Sequence, residues 1–409
     1  MRSTVWLLAV LAWRNLWRHP GRTGAILFAL ALGVWSMVSL AGLTRGALES
    51  QLERAIANLT GHVQIHAPGY RDDPVIEHSM PPPGPELRAA LATEAVSAWA
   101  ARVRVPAIVV SERESAAVTL VGIDPAQERG LSFIPGAVGA GRYLESVDDA
   151  GLLVGRKLAE RLETRLGWRV VLMSEGADDE LADRGFRIVG VFDAEPEAIE
   201  TGYVFVGRRV AQQMLRLGER ISEIALVAPE RDRIEGLLER LRAAAPGLDV
   251  RPWTEIEPLL VLTEELSNVV LVIWYLIVFT AMSFGLVNTL LMAVFERTRE
   301  FGLFQALGMR PRLIVGQVLG ESLILIALGL ALGNAAAALT LRWLEGGLDL
   351  SAFAEGFEMV GYSPVLYPEV AASDVLAANL LVFVLGLIAS LYPAWRAARH
   401  VPVQALARA

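Results

Sequence analysis

Two patterns of apolar and polar residues alternate along the chain. Residues 23–44, 266–295, 313–341 and 375–395 are almost continuously apolar. Each is long enough to cross a hydrocarbon core of ~30 Å at about 1.5 Å per helical residue. Only the third carries a charge, Glu321. The first stretch is read as a retained span, because it exceeds the apolar core of a cleaved signal, about 7–15 residues.

Residues 45–265 follow another rhythm. Short apolar or alternating runs at His62–His66, Val103–Val110, Ala117–Ile123, Phe186–Phe192, Tyr203–Val206 and Ile224–Val227 predict strands. Leu87–Arg102, Arg156–Leu166, Val210–Leu217 and Arg231–Ala244 predict helices, and Pro68–Pro85 and Pro135–Gly141 predict breaks. Thr44–Thr60 is expected to prolong the first span as a helix, and Pro258–Glu265 to lead into the second. The fold class that results is a membrane α-helical protein of four transmembrane helices, with a large α+β extracytoplasmic domain inserted between helices 1 and 2.

Charge orients this layout. Arg2, Arg14, Arg18 and Arg22 precede the first span; Arg297, Arg299, Arg310 and Arg312 lie in 296–312; Arg396, Arg399 and Arg408 follow the last span. The 342–374 connection instead carries Glu345, Asp349, Glu355, Glu358, Glu369 and Asp374. Basic excess marks cytoplasmic loops, which predicts both termini and 296–312 inside, with 45–265 and 342–374 outside. Within 1–22, Trp6, Leu7, Val10, Leu11, Trp13, Leu16 and Trp17 recur at helical spacing among basic residues. They predict an interfacial amphipathic helix, either coupled to the spans or an ordinary flanking anchor.

An apolar content of 54% supports the membrane reading, and the net charge of −8 argues against a nucleic-acid partner. Without cysteine, disulfides and thiolate metal sites are excluded. No stretch fits the phosphate-binding loop; Gly151–Lys157 fails in spacing and in its final residue. Energy from ATP would therefore come from another polypeptide. His62 and His66, with Glu77 and His78, are read as exposed polar positions rather than a metal cluster. Ser111 and Ser115 beside Glu112 and Glu114 are read as an acidic turn. No catalytic residue and no metal site is assigned.

Glu321 would cost on the order of 3 kcal/mol facing lipid at the bilayer centre. It must face protein or water, as a partner-satisfied structural carboxylate or as part of helix coupling. Gly285, Asn288, Gly316, Gly320, Gly329 and Gly333 predict close packing of spans two and three, or of either against a second protomer.

The 296–312 segment reads Glu296, Arg297, Thr298, Arg299, Glu300, Phe301, Gly302, Leu303, Phe304, Gln305, Ala306, Leu307, Gly308, Met309, Arg310, Pro311 and Arg312. Phe301, Phe304 and Leu307 fall on one face of a short helix, with Leu303 beside them, and Gly308–Pro311 stops it. Such a helix, exposing aromatic residues, either docks in another protein's groove or rests in the lipid interface.

This segment resembles the coupling loop of the FtsX-like, or MacB-type, family of ABC transporter permeases. Trp13–Thr23, Tyr392–Arg399 and Pro402–Leu406 resemble the family's two ends. Thr60–Ile65, Val121–Pro125 and Leu153–Ala159 are most similar to its lipoprotein-releasing LolC/LolE branch. The resemblance implies a bacterial inner-membrane permease, not an enzyme, paired with a second permease as a homo- or heterodimer. A separate ABC ATPase, carrying ATP and Mg, would dock at Glu296, Arg297, Arg299, Glu300, Phe301, Gly302, Leu303, Phe304, Leu307, Gly308 and Met309, with Glu321 as an intramembrane polar position. No cofactor is expected on this chain. ATP-driven closure would extract or export an amphipathic cargo (lipoprotein, lipid or hydrophobic compound) by mechanotransmission. The alternative is an FtsX-like regulator of an extracytoplasmic cell-wall hydrolase.

Overall fold

The structure is a computed structural model that describes residues 10, 12–194, 197–229, 234–351 and 365–399. The chain divides into two compact units, Gln51–Leu262 and the combination of Met1–Ser50 with Thr263–Ala409.

Among the described residues, four helices are long and apolar enough to cross a membrane, each lying mostly in the second of these units. They run Pro20–Ala55, Pro258–Glu296, Pro311–Trp343 and Ala372–Ala398, and each encloses one of the apolar stretches. The first is the most enclosed. Its Leu30, Val34, Met37, Val38 and Ala41 share a core with Met282 and Leu286 of the second, Ile326 and Ala337 of the third and Val382 of the fourth.

Small residues set the closest approaches. A Cβ added at Gly329 or Gly333 would lie 2.6 Å from the Cβ of Leu30 or Val34, so the third span packs on the first through glycine. This corrects the expectation that these glycines join spans two and three; Gly285 has no heavy atom near its missing Cβ. Polar side chains add to the contact: Trp35 Nε1 donates to Thr340 Oγ1 at 2.9 Å, and the Asn334 and Asn379 amides exchange hydrogen bonds of 2.7 and 3.1 Å. Beyond the third span lies a small antiparallel pair, Leu348–Asp349 with Val365–Leu366; Glu355 and Glu358 of that connection fall outside the described residues.

The described residues of unit Gln51–Leu262 form ten strands: β1 Val63–His66, β2 Ala98–Val110, β3 Ser115–Ile123, β4 Val138–Gly141, β5 Gly151–Gly155, β6 Arg169–Glu175, β7 Leu181–Phe192, β8 Tyr203–Gly207, β9 Glu223–Val227 and β10 Asp249–Pro252. Pairing runs β2–β3–β8–β5–β7–β6 and returns from β6 to β2, so these strands form a closed ring. β3–β8 and β5–β7 are parallel. Val103, Val105, Leu120, Leu152, Val170, Phe186 and Val204 belong to its core. β9, β1 and β10 continue outward from β2, and the helices Pro85–Leu91 and Ile234–Ala244 pack on them through Leu87, Leu91, Leu237 and Leu241.

Each of the six expected strands is present. The predicted helix Leu87–Arg102 is not: it ends at Leu91, and Ala98–Arg102 pairs with β9 as the start of β2. The helix-forming preference of an alanine-rich segment yields here to cross-strand pairing and burial. Pro135–Gly141, expected as a break, holds the short helix Ile134–Ala137 and then β4.

Candidate functional site

The 296–312 segment folds as the loop helix Thr298–Ala306, and its end is specified locally. Gly308 takes φ +93°, a left-handed conformation that suits glycine. Its N–H donates to Gln305 O at 3.0 Å, and the Met309 N–H donates to Phe304 O at 2.9 Å. This is the Schellman arrangement, which usually brings an apolar contact across the cap; Met309 and Phe304 join the same core. Arg310 and Pro311 then start the third span.

The helix has two distinct faces. Phe301 is fully buried with Val294, Ile314, Val318 and Ala394, Gly302 is buried, and Phe304 is half-buried. Arg299, Leu303 and Leu307 are exposed, Leu307 to 78%. The expectation of outward aromatic residues is thus corrected. Phe301 and Phe304 occupy the i and i+3 positions facing the spans, while Leu303 and Leu307, at i and i+4, form the outer face.

A polar cluster ties the same helix to neighbouring elements. Arg297, at its start, donates from Nη1 to Glu321 Oε1 at 2.8 Å, and Asn15 Nδ2 donates to the same oxygen at 2.9 Å. Glu321 is buried, so it is a carboxylate satisfied by partners. Arg18 reaches Glu300 and Arg22 reaches Glu296, both at 2.7 Å. Partial burial would raise the Glu300 carboxyl, but Arg18 and Arg297 hold it below the usual carboxylate range. A cleft of about 220 Å³ lies among Asn15, Arg18, Arg22, Glu296, Arg297 and Glu321. The sequence marks the loop acids and Glu321 but not Asn15, Arg18 and Arg22 as their partners, which sit 274 to 306 positions away. Residues 1–9 and 11 of the expected interfacial helix lie outside the described residues; Trp13 and Trp17 are about half exposed, their rings 5.8 Å apart.

A second ionic cluster lies inside unit Gln51–Leu262 and has no signal in local sequence. Arg102, with no exposed surface, donates to both oxygens of Glu128 (2.7 and 2.9 Å), to Glu223 (3.0 Å) and to the carbonyl of Leu59 (2.6 Å). Leu59 sits at φ +81°, where the helix from the first span ends in a distorted turn, so the guanidinium holds a strained backbone carbonyl. Burial would raise the Glu223 carboxyl, yet Arg104 and Arg102 hold it below its ordinary value.

His62 and His66, expected to be exposed, are buried. His62 Nδ1 accepts the Ala228 N–H at 2.9 Å; His66 Nε2 lies 2.9 Å from Gln64 Oε1, and its ring stacks on Tyr70. Glu77 groups with Glu175 and Asp179 on the surface. Ser111 Oγ donates to Leu162 O and accepts from Glu114 N, a turn contact.

Comparison with known proteins places this arrangement. Residues 23–244, more than half of the chain, match the MacB-like periplasmic core domain, and 272–402 match the FtsX-like permease C-terminal domain. The chain is 23% identical to the lipoprotein-releasing system transmembrane protein LolC of Xylella fastidiosa (strain 9a5c), covering 93% of this chain and 92% of that one. It is 36% identical to the macrolide export ATP-binding/permease protein MacB 2 of Yersinia pestis bv. Antiqua (strain Antiqua), over 30% of this chain and 16% of that protein. The crystallised periplasmic region of MacB from Actinobacillus actinomycetemcomitans is similar at 14% identity and a TM-score of 0.35, covering 51% of this chain and 96% of that one. The two family matches and the LolC relative define an ABC-transporter permease of the inner membrane. The chain belongs to the family with FtsX-like permease and MacB-like periplasmic core domains, the LolC/MacB type.

Proposed function

We propose that this permease couples ATP hydrolysis on a separate ATPase to extraction or export of an amphipathic cargo, a lipoprotein, lipid or hydrophobic compound, by mechanotransmission. The observation that carries the reading is the two-faced loop helix: Phe301 and Phe304 anchor it to the spans, while Leu303, Leu307 and Arg299 face outward. A rigidly seated helix with an apolar outer face suits docking and transmission of force. The layout that goes with it is an interfacial segment 1–22, spans 23–44, 266–295, 313–341 and 375–395, a periplasmic domain 45–265 inserted between the first two spans, and a second outer connection 342–374. The coupling loop 296–312 and the tail 396–409 lie inside with both termini. A second permease completes the transporter. LolC is named for lipoprotein release, which makes a lipoprotein the first cargo to test.

The experiment is affinity purification of the tagged full chain in mild detergent, with mass spectrometry of bound proteins and lipids. A soluble ATPase is expected with the native chain and absent with Leu303→Asp/Leu307→Asp at unchanged thermal stability. Equal recovery of the ATPase with both chains would overturn the docking assignment.

A further inference from the structure

At the end of the spans that carries the 296–312 loop, the described carboxylates are all engaged: Glu296 with Arg22, Glu300 with Arg18, and Glu321 with Arg297. Residues 1–9, 11 and 400–409 contain no Asp or Glu. Arg396 and Arg399, both exposed, have no acidic partner among the described residues.

These two arginines are nevertheless held in place. Arg396 Nη1 donates to Tyr392 Oη at 3.0 Å, and its guanidinium lies 5.0 Å from the centre of the Phe295 ring. Arg399 lies 4.1 Å from the centre of the Trp395 ring. Such cation–π contacts orient a guanidinium while leaving most of its N–H donors unused. Directly beside them, Val315, Leu391, Tyr392 and Trp395 line an open groove of about 440 Å³. It continues along the fourth span as an exposed stripe of Leu380, Val384, Ile388 and Leu391, spaced as one helical face.

We propose that this groove is a seat for an anionic diacyl phospholipid, with its phosphate on Arg396 and Arg399 and an acyl chain along Trp395, Leu391 and Ile388. Charge complementarity selects this occupant. Basic residues at a cytoplasmic span end are ordinary, but here both guanidinium groups are oriented by aromatic rings beside an open apolar groove, and an uncharged apolar segment docked there would leave them unpaired.

The test uses the full-length protein and native mass spectrometry with phosphatidylglycerol and phosphatidylcholine of matched chains. The native protein should retain phosphatidylglycerol in roughly 30-fold preference, as expected of two arginines close to a headgroup. Arg396→Gln/Arg399→Gln should abolish the preference, and Arg396→Lys/Arg399→Lys should keep most of it. Photoreactive phosphatidylglycerol on the unmodified protein gives a readout independent of any variant, and its adducts should concentrate on 388–399. No preference in the native protein, a preference unaltered by the Gln pair, or adducts spread evenly over the four spans would each overturn the assignment, as would a second copy of the chain crosslinked at this groove.

Discussion

Arg297 and Glu321 are joined at 2.8 Å, so the residue that precedes the loop helix at its N-cap is fastened to the middle of the third span's first half. Both side chains are largely buried, and Asn15 shares the carboxylate. A displacement of the loop helix therefore either moves the third span or breaks a shielded ion pair.

Removing one partner of such a pair is costlier than removing both. Arg297→Ala leaves Glu321 with Asn15 as its remaining hydrogen-bond partner and should destabilise the chain by about 3–5 kcal/mol. Arg297→Met/Glu321→Leu should recover most of that loss. Thermal unfolding of the purified chain in detergent reads both, and a double variant no better than Arg297→Ala would refute a paired charge.

The two faces of the loop helix separate stability from docking. Phe301→Ala empties a fully buried site and should cost about 3–5 kcal/mol, whereas Leu303→Ala, on the outer face, should stay within about 0.5 kcal/mol of the native chain. Comparable losses in denaturant unfolding would mean that the faces are misassigned.

Much of this organisation is legible in one sequence because its signals are local. Continuous apolar runs mark the spans, and Gly308 followed by Pro311 marks the end of the loop helix. What escapes is set by distant partners. β5 reads Gly-Leu-Leu-Val-Gly and is buried along its whole length, so it lacks the alternation that reveals a half-exposed strand. Its Gly155 is required by close packing, since an added Cβ would fall 2.1 Å from the Glu200 carbonyl oxygen. Arg102 closes the predicted helix Leu87–Arg102 in the sequence, and only the meeting of β2 with Glu128 and Glu223 makes it a buried ion. The facing of Phe301 and Phe304 was likewise undetermined by periodicity, which gives a stripe but not the side on which the protein lies.

Packing between the first and third spans gives a steric prediction. A methyl group at Gly333 would sit 2.6 Å from Val34 Cβ and 2.8 Å from the Ala31 carbonyl oxygen. Gly333→Ala should destabilise the membrane unit by about 1–3 kcal/mol, and Val34→Ala should relieve little of it, because alanine keeps the Cβ at that position and the Ala31 carbonyl remains. Gly285→Ala, with open space around it, serves as the neutral comparison. Thermal unfolding that ranks Gly285→Ala as equally harmful would contradict the helix pairing.

The buried His66 gives the outer unit a dependence on pH whose sign can be worked out. Burial lowers its pKa below the ordinary 6.5 despite the attraction of Glu223. The native state therefore binds fewer protons than the unfolded chain below that value. Stability from this group is present above about pH 6.5 and is lost as pH falls toward the lowered native value, with a slope of at most ~1.4 kcal/mol per pH unit. Glu223, also lowered, adds its own loss only below the ordinary carboxylate value of 4.5, so above that pH His66 is the one of the two that contributes. His66→Phe keeps a ring on Tyr70 and removes the titration. Hydrogen exchange of β1 in the full chain, measured from about pH 7 to about pH 5.5 and corrected for intrinsic rates, should show protection falling with pH in the native protein and flat in His66→Phe. Equal slopes in the two proteins would mean that His66 is not the group that loses the proton on folding.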